Sequence, residues 1–263
     1  MSIKSKVFAA TAALTLASGL AAGLTAGTAS AATPSCGSAC IDIFSKNFGT
    51  HHNPVAVLDV LRQGAKVGQP IILFRQSNSD PAEDFTISND GQVSDFYQAG
   101  LVSAGINLHY GCDWNANIGH CTTAAPDDYA FELEYAPFGV NSGLCVGVPT
   151  TAVSGEKVSL QPCGVTSKTT WVADTLDSCI TNPLYSNELQ AINGSDTNFS
   201  HPFVLQYPAN GSPTDVPRPQ LYVSGLTGFS QTGGTGGSAV CGGSAVTGPN
   251  NNQLWSAVAG VLP

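Results

Sequence analysis

Positive charge is scarce in this chain. Nine Lys and Arg stand against eighteen Asp and Glu, and charged residues are only 10% of the 263. So acidic a protein gains nothing from displacing counterions on nucleic acid or on an anionic membrane surface, and both are excluded as partners. Helical periodicity is absent throughout, and past residue 31 no apolar run is long enough to span a bilayer. No pair of CxxC spacings occurs. His51, His52, His109, His120 and His201 show no H-x-x-x-H or His–carboxylate spacing, so no metal site is indicated. A G-x-S-x-G elbow, a P-loop and a dinucleotide fingerprint are missing too, and no cofactor is expected.

What is present begins with a leader. Lys4 and Lys6 precede an apolar, Ala-rich run from Val7 to Leu24, and Ala29-Ser30-Ala31 offers small residues for cleavage. Residues 1–31 read as a secretion signal. The mature chain, 32–263, keeps seven Lys and Arg and all eighteen acids, for a net charge of −11. Few charges and abundant Gly, Pro, Ser, Thr and Asn describe an extracellular all-β protein with many turns. All eight cysteines lie in the mature part, and an even count in an exported chain reads as four disulfides. Cys145 and Cys163 sit on adjacent expected strands and form the first pair. Cys112 and Cys121 close a small loop, DWNANIGH, and form the second. The pairing of Cys36, Cys40, Cys179 and Cys241 stays open.

The segments fall into three units, at about 40–100, 129–176 and 187–260. Unit one reads CIDIFSKNFG, VAVLDV, PIILFRQ and DFTI. After it comes a strand pair with an insertion, in which Asp90-Gly91 marks a tight turn. Unit two reads AFELEYAP, LCVGV, KVSLQPC and TTWVAD. Val57–Val60 falls on Leu144–Gly147 at an offset of 87, as Gly68 does on Gly155, Ile71 on Val158 and Leu73 on Leu160; Phe85 meets Trp171 at 86. In unit three FVLQYP resembles FELEYAP, LYVSG resembles LCVGV, and NNQLWSAV resembles the closing TTWVAD. A Gly/Ser/Thr-rich stretch lies before that last segment. One such unit cannot bury its apolar face alone, so three close into a barrel without free edges.

The order C-hydrophobic-x-V, G-x-x-V-x-L-x-x-C, W in unit two resembles the ricin-type β-trefoil lectins. So do VLDV and IILF in unit one and NNQLW in unit three. The resemblance implies one all-β domain, a β-trefoil of three four-strand units with loop insertions; a β-sandwich is the other architecture of similar strand count. It also implies sugar sites made of an Asp, a stacking ring and an amide pair before the closing Trp. Carried over, unit one offers Asp59, Phe74 and Glu83. Unit two has Gly147, Gln161 and Thr169-Thr170 at these places, and its site is lost. Unit three keeps Asn252 and Gln253, with Ser224 at the Asp position. Trp114, in the stapled loop, is a separate carbohydrate contact.

Set against these, Phe85, Trp171 and Trp255 read as core residues closing the barrel. Asp127, Asp128, Glu132 and Glu134 supply the carboxylates an acid/base glycosidase needs. Yet Glu132 and Glu134 alternate with apolar residues, as the solvated face of a strand does. The expectation is a secreted, non-catalytic carbohydrate-binding protein taking an extracellular or cell-wall glycan. The rivals are a trefoil that binds a protein, for instance as a protease inhibitor, and a carbohydrate-active enzyme.

Overall fold

The computed structural model describes residues 36, 40–45, 48–50, 53–77, 79–111, 114–115, 120–121, 129–175, 189–197, 202–225 and 251–258. The leader, Cys112, Cys179, Cys241 and the Gly-rich stretch at 226–250 lie outside them.

Unit one contains β1 (Asp42–Ser45), the short pair β2 (Gly49–Thr50) and β3 (Asn53–Pro54), β4 (Ala56–Val60), β5 (Ile71–Arg75) and β6 (Phe85–Gln92). Helices α1 (Val93–Gln98) and α2 (Ala104–Tyr110) follow, then the short pair β7 (Trp114–Asn115) and β8 (His120–Cys121). Unit two is β9 (Tyr129–Tyr135), β10 (Leu144–Gly147), β11 (Ser159–Pro162) and β12 (Thr170–Thr175). Unit three is β13 (Leu189–Asn193), β14 (Phe203–Gln206), β15 (Tyr222–Gly225) and β16 (Trp255–Val258).

The outer strands of each unit pair around a ring, β1–β16–β13–β12–β9–β6. The bridge between Ile41 and Phe85 closes that ring. Three hairpins, β4–β5, β10–β11 and β14–β15, cap one end. Their backbones bond in a cycle: Ile71 N donates to Val158 O (3.2 Å), Val158 N to Leu221 O (2.9 Å) and Leu221 N to Ile71 O (2.9 Å). A closed six-strand barrel under a triangle of hairpins is a β-trefoil. It leaves no barrel edge unpaired, which suits strands too short to stand alone.

Alternation along the strands sorts the side chains. Leu58, Val60, Ile71, Leu73, Val146, Leu160, Leu205 and Val223 join the barrel core with Phe85, Trp171 and Trp255. The two tryptophans also donate inward, Trp171 Nε1 to Val146 O (2.8 Å) and Trp255 Nε1 to Leu205 O (3.0 Å). Each thereby ties its closing strand to its own hairpin at no cost in buried donors.

The hairpin cycle fixes which residues are equivalent, and it corrects the sequence reading in several places. Offset 87 holds for β5 against β11. On the preceding strands Leu58 pairs with Leu73 and Val146 with Leu160, so there the offset is 88, and Asp59 matches Gly147. In unit three FVLQYP forms β14, the counterpart of LCVGV, and LYVSG forms the strand after it. The first strand is LQAIN, at the end of a polar connection. Gln206 therefore occupies the Asp59 position, and Ser224 occupies that of Phe74. Asp90 and Gly91 lie within β6, opposite Phe131 and Ala130, and make no turn.

Helices exist where none was expected. Val93, Phe96, Val102, Ile106 and Tyr110 form a second apolar cluster with Ala130, Val172, Ile192 and Val204 on the outside of the barrel. Ser103 caps α2, its hydroxyl accepting from Ile106 N at 3.1 Å. Cys145–Cys163 is bonded as expected, and Cys36 pairs with Cys40. Trp114 faces Cys121 across the β7–β8 ladder, but the pairing of Cys112 lies outside the described residues.

Candidate functional site

On β4, Ala56, Leu58 and Val60 take the core face, which leaves Val57 and Asp59 on the outer one. Phe74 shares that outer face, since it pairs with Val57, next but one to Asp59. The loops of unit one then fold over it. Pro81–Glu83 forms a 3-10 turn, begun by Pro81 and capped by Asp80, whose Oδ1 accepts from Ala82 N (3.0 Å) and from Gln63 Nε2 (3.0 Å). Glu83 closes that turn and takes the Ser77 N–H on both carboxylate oxygens, at 3.0 and 2.9 Å. Asp59, Asp80 and Glu83 thus bring ligand oxygens within 4.8 Å of one another.

Asp59 is only 4% exposed and Glu83 1%. Asp59 accepts no hydrogen bond from any described residue. Burial pushes its carboxyl up to about 8, with Asp80 adding to the rise and Arg218 working against it. Burial likewise lifts Glu83 to about 9 against the pull of the Ser77 N–H, with Asp42, Asp59 and Asp80 adding to the rise. Asp42, fully buried on β1, rises to about 7 through burial and its neighbour Asp84; the Gln76 side chain opposes this. Low dielectric and like charge point the same way here, toward protonation or a counter-cation.

Phe74 is half-buried, and its ring has company. The Arg218 guanidinium carbon sits 4.6 Å from the ring centroid. Arg218 Nη1 donates to Pro213 O (2.8 Å) and Asp215 O (3.2 Å), so the unit-three loop holds the cation over the ring. One face of the expected stacking platform is already covered.

The remaining residues named from sequence serve the fold itself. Asn252 Nδ2 donates to Tyr207 O at 2.8 Å. Gln253 Nε2 donates to Gln206 Oε1 (2.6 Å) and Gly225 O (2.9 Å). Glu132 and Glu134 are buried, at 1% and 6% exposure, and are not the solvated strand face expected of them. Glu132 Oε1 accepts from Gly164 N (2.9 Å) and Thr169 Oγ1 (2.6 Å). Glu134 accepts from Gly143 N (2.6 Å) and Asn141 Nδ2 (3.0 Å). Both carboxylates anchor loops. Asp127, Asp128 and the Trp114 side chain lie outside the described residues.

Asp80, Gln63, Asp42 and Arg218 were not named from sequence. Asp80-Pro81 carries a helix-start signature, a capping acid before proline, that brings Asp80 beside Glu83. Nothing local in the sequence brings Arg218 to unit one.

No family model matches the chain, and no curated protein matches it. Among solved structures it is similar to the designed threefold-symmetric protein ThreeFoil, at 12% identity over 84% of this chain and 98% of that one, with a TM-score of 0.45. A mosquitocidal holotoxin gives 11% identity over 84% of this chain and 17% of that chain, TM-score 0.43. The C-terminal domain of an earthworm lectin, a mutant in complex with 6'-sialyllactose, gives 13% over 83% and 97%, TM-score 0.37. The fold assignment rests on the barrel and the hairpin cycle themselves. The closing tryptophans of units two and three repeat the same bond to their own hairpins, as the units of a β-trefoil do.

Proposed function

We propose that this chain is a secreted, non-catalytic carbohydrate-binding protein whose glycan contact lies on the outer face of unit one. One observation carries the reading: of the three equivalent positions, that of Asp59 alone holds a carboxylate, and it accepts no hydrogen bond from any described residue and lies beside a half-buried aromatic ring. A carboxyl group takes paired sugar hydroxyls, and an aromatic ring takes the C–H face. Gln63 and Arg218 add an exposed amide and a guanidinium at the rim. Export is supported by the leader composition and the bonded cysteines. The absence of catalysis is supported by Glu132 and Glu134, whose oxygens hold loops in place.

A glycan array probed with the mature chain tests this. Binding is expected, reduced about tenfold or more by Asp59→Asn or Phe74→Ala, the scale of one lost charged hydrogen bond or ring contact. Gln161→Ala, at the Phe74 position of unit two, leaves it unchanged. A silent array, or full binding by Phe74→Ala, defeats the reading, as does release of reducing sugar from a bound glycan.

A further inference from the structure

We propose that Asp59, Asp80 and Glu83 bind a hard divalent cation of the Ca2+ class. Their oxygens lie within 4.8 Å of one another. Oxygens bound to a single Ca2+ at about 2.4 Å sit no more than about 4.8 Å apart, so the separations of these three are compatible with one ion after side-chain adjustments of a few tenths of an ångström.

Carboxylates gather on many surfaces without binding anything, but two further features distinguish this cluster. Asp59 is 4% exposed and accepts no hydrogen bond from any described residue, so among these residues its carboxyl lacks a donor. The hydroxyl of Tyr135 is the second feature. It is fully buried and unpartnered, and the charges of Asp59 and Asp80 reach it.

The local donors fall short of the acceptors. Glu83 has one N–H for two oxygens. Asp80 spends Oδ1 on Ala82 N and Gln63 Nε2, which leaves Oδ2. Arg218 favours the charge on Asp59 through space, but its Nη1 is committed to carbonyls of its own loop. All the ligands on offer are oxygens, which selects Ca2+ over softer zinc or copper. Half-buried Asp80 and exposed Gln63 form the outer side, so an ion has a way in.

The inference does not rest on glycan binding, and its test is made without glycan. The mature chain, stripped with EDTA at neutral pH, is titrated with Ca2+ and with Mg2+ by calorimetry and thermal melting. A parallel titration with Tb3+ reads luminescence sensitised by nearby aromatic rings. Ca2+ at about 5 mM, above the dissociation constants of extracellular calcium modules, is expected to raise the Tm by about 5 °C, and Mg2+ by less. Asp80→Asn and Glu83→Gln abolish the shift and the Tb3+ signal. Asp80 is the less buried of the two, so its variant remains informative if Glu83→Gln fails to fold. Two results overturn the proposal: no heat and no shift up to about 10 mM Ca2+, or an undiminished shift in Asp80→Asn. A chain that binds Ca2+ but leaves the array silent keeps the ion site and loses the lectin reading; glycan binding undisturbed by EDTA with no Ca2+ response does the reverse.

Discussion

In unit three, Gln190, Gln253 and Gln206 form a buried row whose amides bond to one another, with Gln190 Oε1 left without a partner among the described residues. Gln190 Nε2 donates to Gln253 Oε1 (3.3 Å), Gln253 Nε2 to Gln206 Oε1 (2.6 Å) and Gln206 Nε2 to the Tyr222 hydroxyl (2.7 Å). The equivalent places in unit one hold Asp42, Glu83 and Asp59, all buried. In unit two they hold Glu132, Thr169 and Gly147, a single acid with a hydroxyl donor. An amide both donates and accepts, so a row of amides can be buried neutral and closed. A carboxylate only accepts, so a row of acids needs protons or a cation from outside. The same backbone carries both rows. Structure is secured in unit three, and unit one keeps a place where chemistry can enter.

The sharpest way to break this contrast is to put an acid into the amide row. Gln253→Glu removes the donor to Gln206 and Gly225 and buries a charge against their two oxygens, with the long Gln190 Nε2 bond too weak to offset it. A loss of about 3–5 kcal/mol in urea unfolding is expected near neutral pH; a neutral result would show that the amide row is not what holds unit three.

The reverse exchange acts in unit one through pH. Asp42, Asp59 and Glu83 all titrate higher folded than unfolded. The folded state therefore binds more protons between the ordinary carboxylate range and about pH 9. Stability of the metal-free chain is full below that window and falls as pH rises through it. Each group still protonated only in the folded state costs up to about 1.4 kcal/mol per pH unit, and Glu83→Gln, which installs the unit-three residue, lessens the slope. Denaturant midpoints taken across that window at fixed ionic strength decide it. A midpoint that climbs with pH would contradict the assignment.

How much of this could be read beforehand follows from what local sequence encodes. The closing residues Phe85, Trp171 and Trp255, the Cys145–Cys163 hairpin and the barrel were legible, because each is a short apolar run beside a turn. Unit three was misaligned because FVLQYP and LYVSG are both apolar, and only their mutual pairing shows that they form one hairpin. The helices were missed although Val102, Ile106 and Tyr110 recur every four residues behind a capping Ser103. Asp59 and Phe74 were named by position in the repeat, and the structure puts them on one outer face. Asp42, Asp80 and Arg218 join them only through the folding of one strand and two separate loops, and no spacing rule captures that.

Two smaller exchanges refine the contrast. Trp171→Phe makes the unit-two closer resemble Phe85, deleting the indole N–H and leaving Val146 O unpaired; a loss of about 1–2 kcal/mol is expected. Tyr222→Phe tests the outer end of the amide row. Gln206 is nearly buried while Tyr222 is half-buried, so water can replace the lost hydroxyl as the acceptor for Gln206 Nε2. Lys157 stacks on the ring at 5.0 Å and keeps that contact. The cost should therefore be about 0.5–1 kcal/mol by urea unfolding. A loss several times larger would mean that the row depends on its last link, and that unit three is secured by the completeness of its hydrogen-bond chain and not by the inner Gln253–Gln206 bond alone.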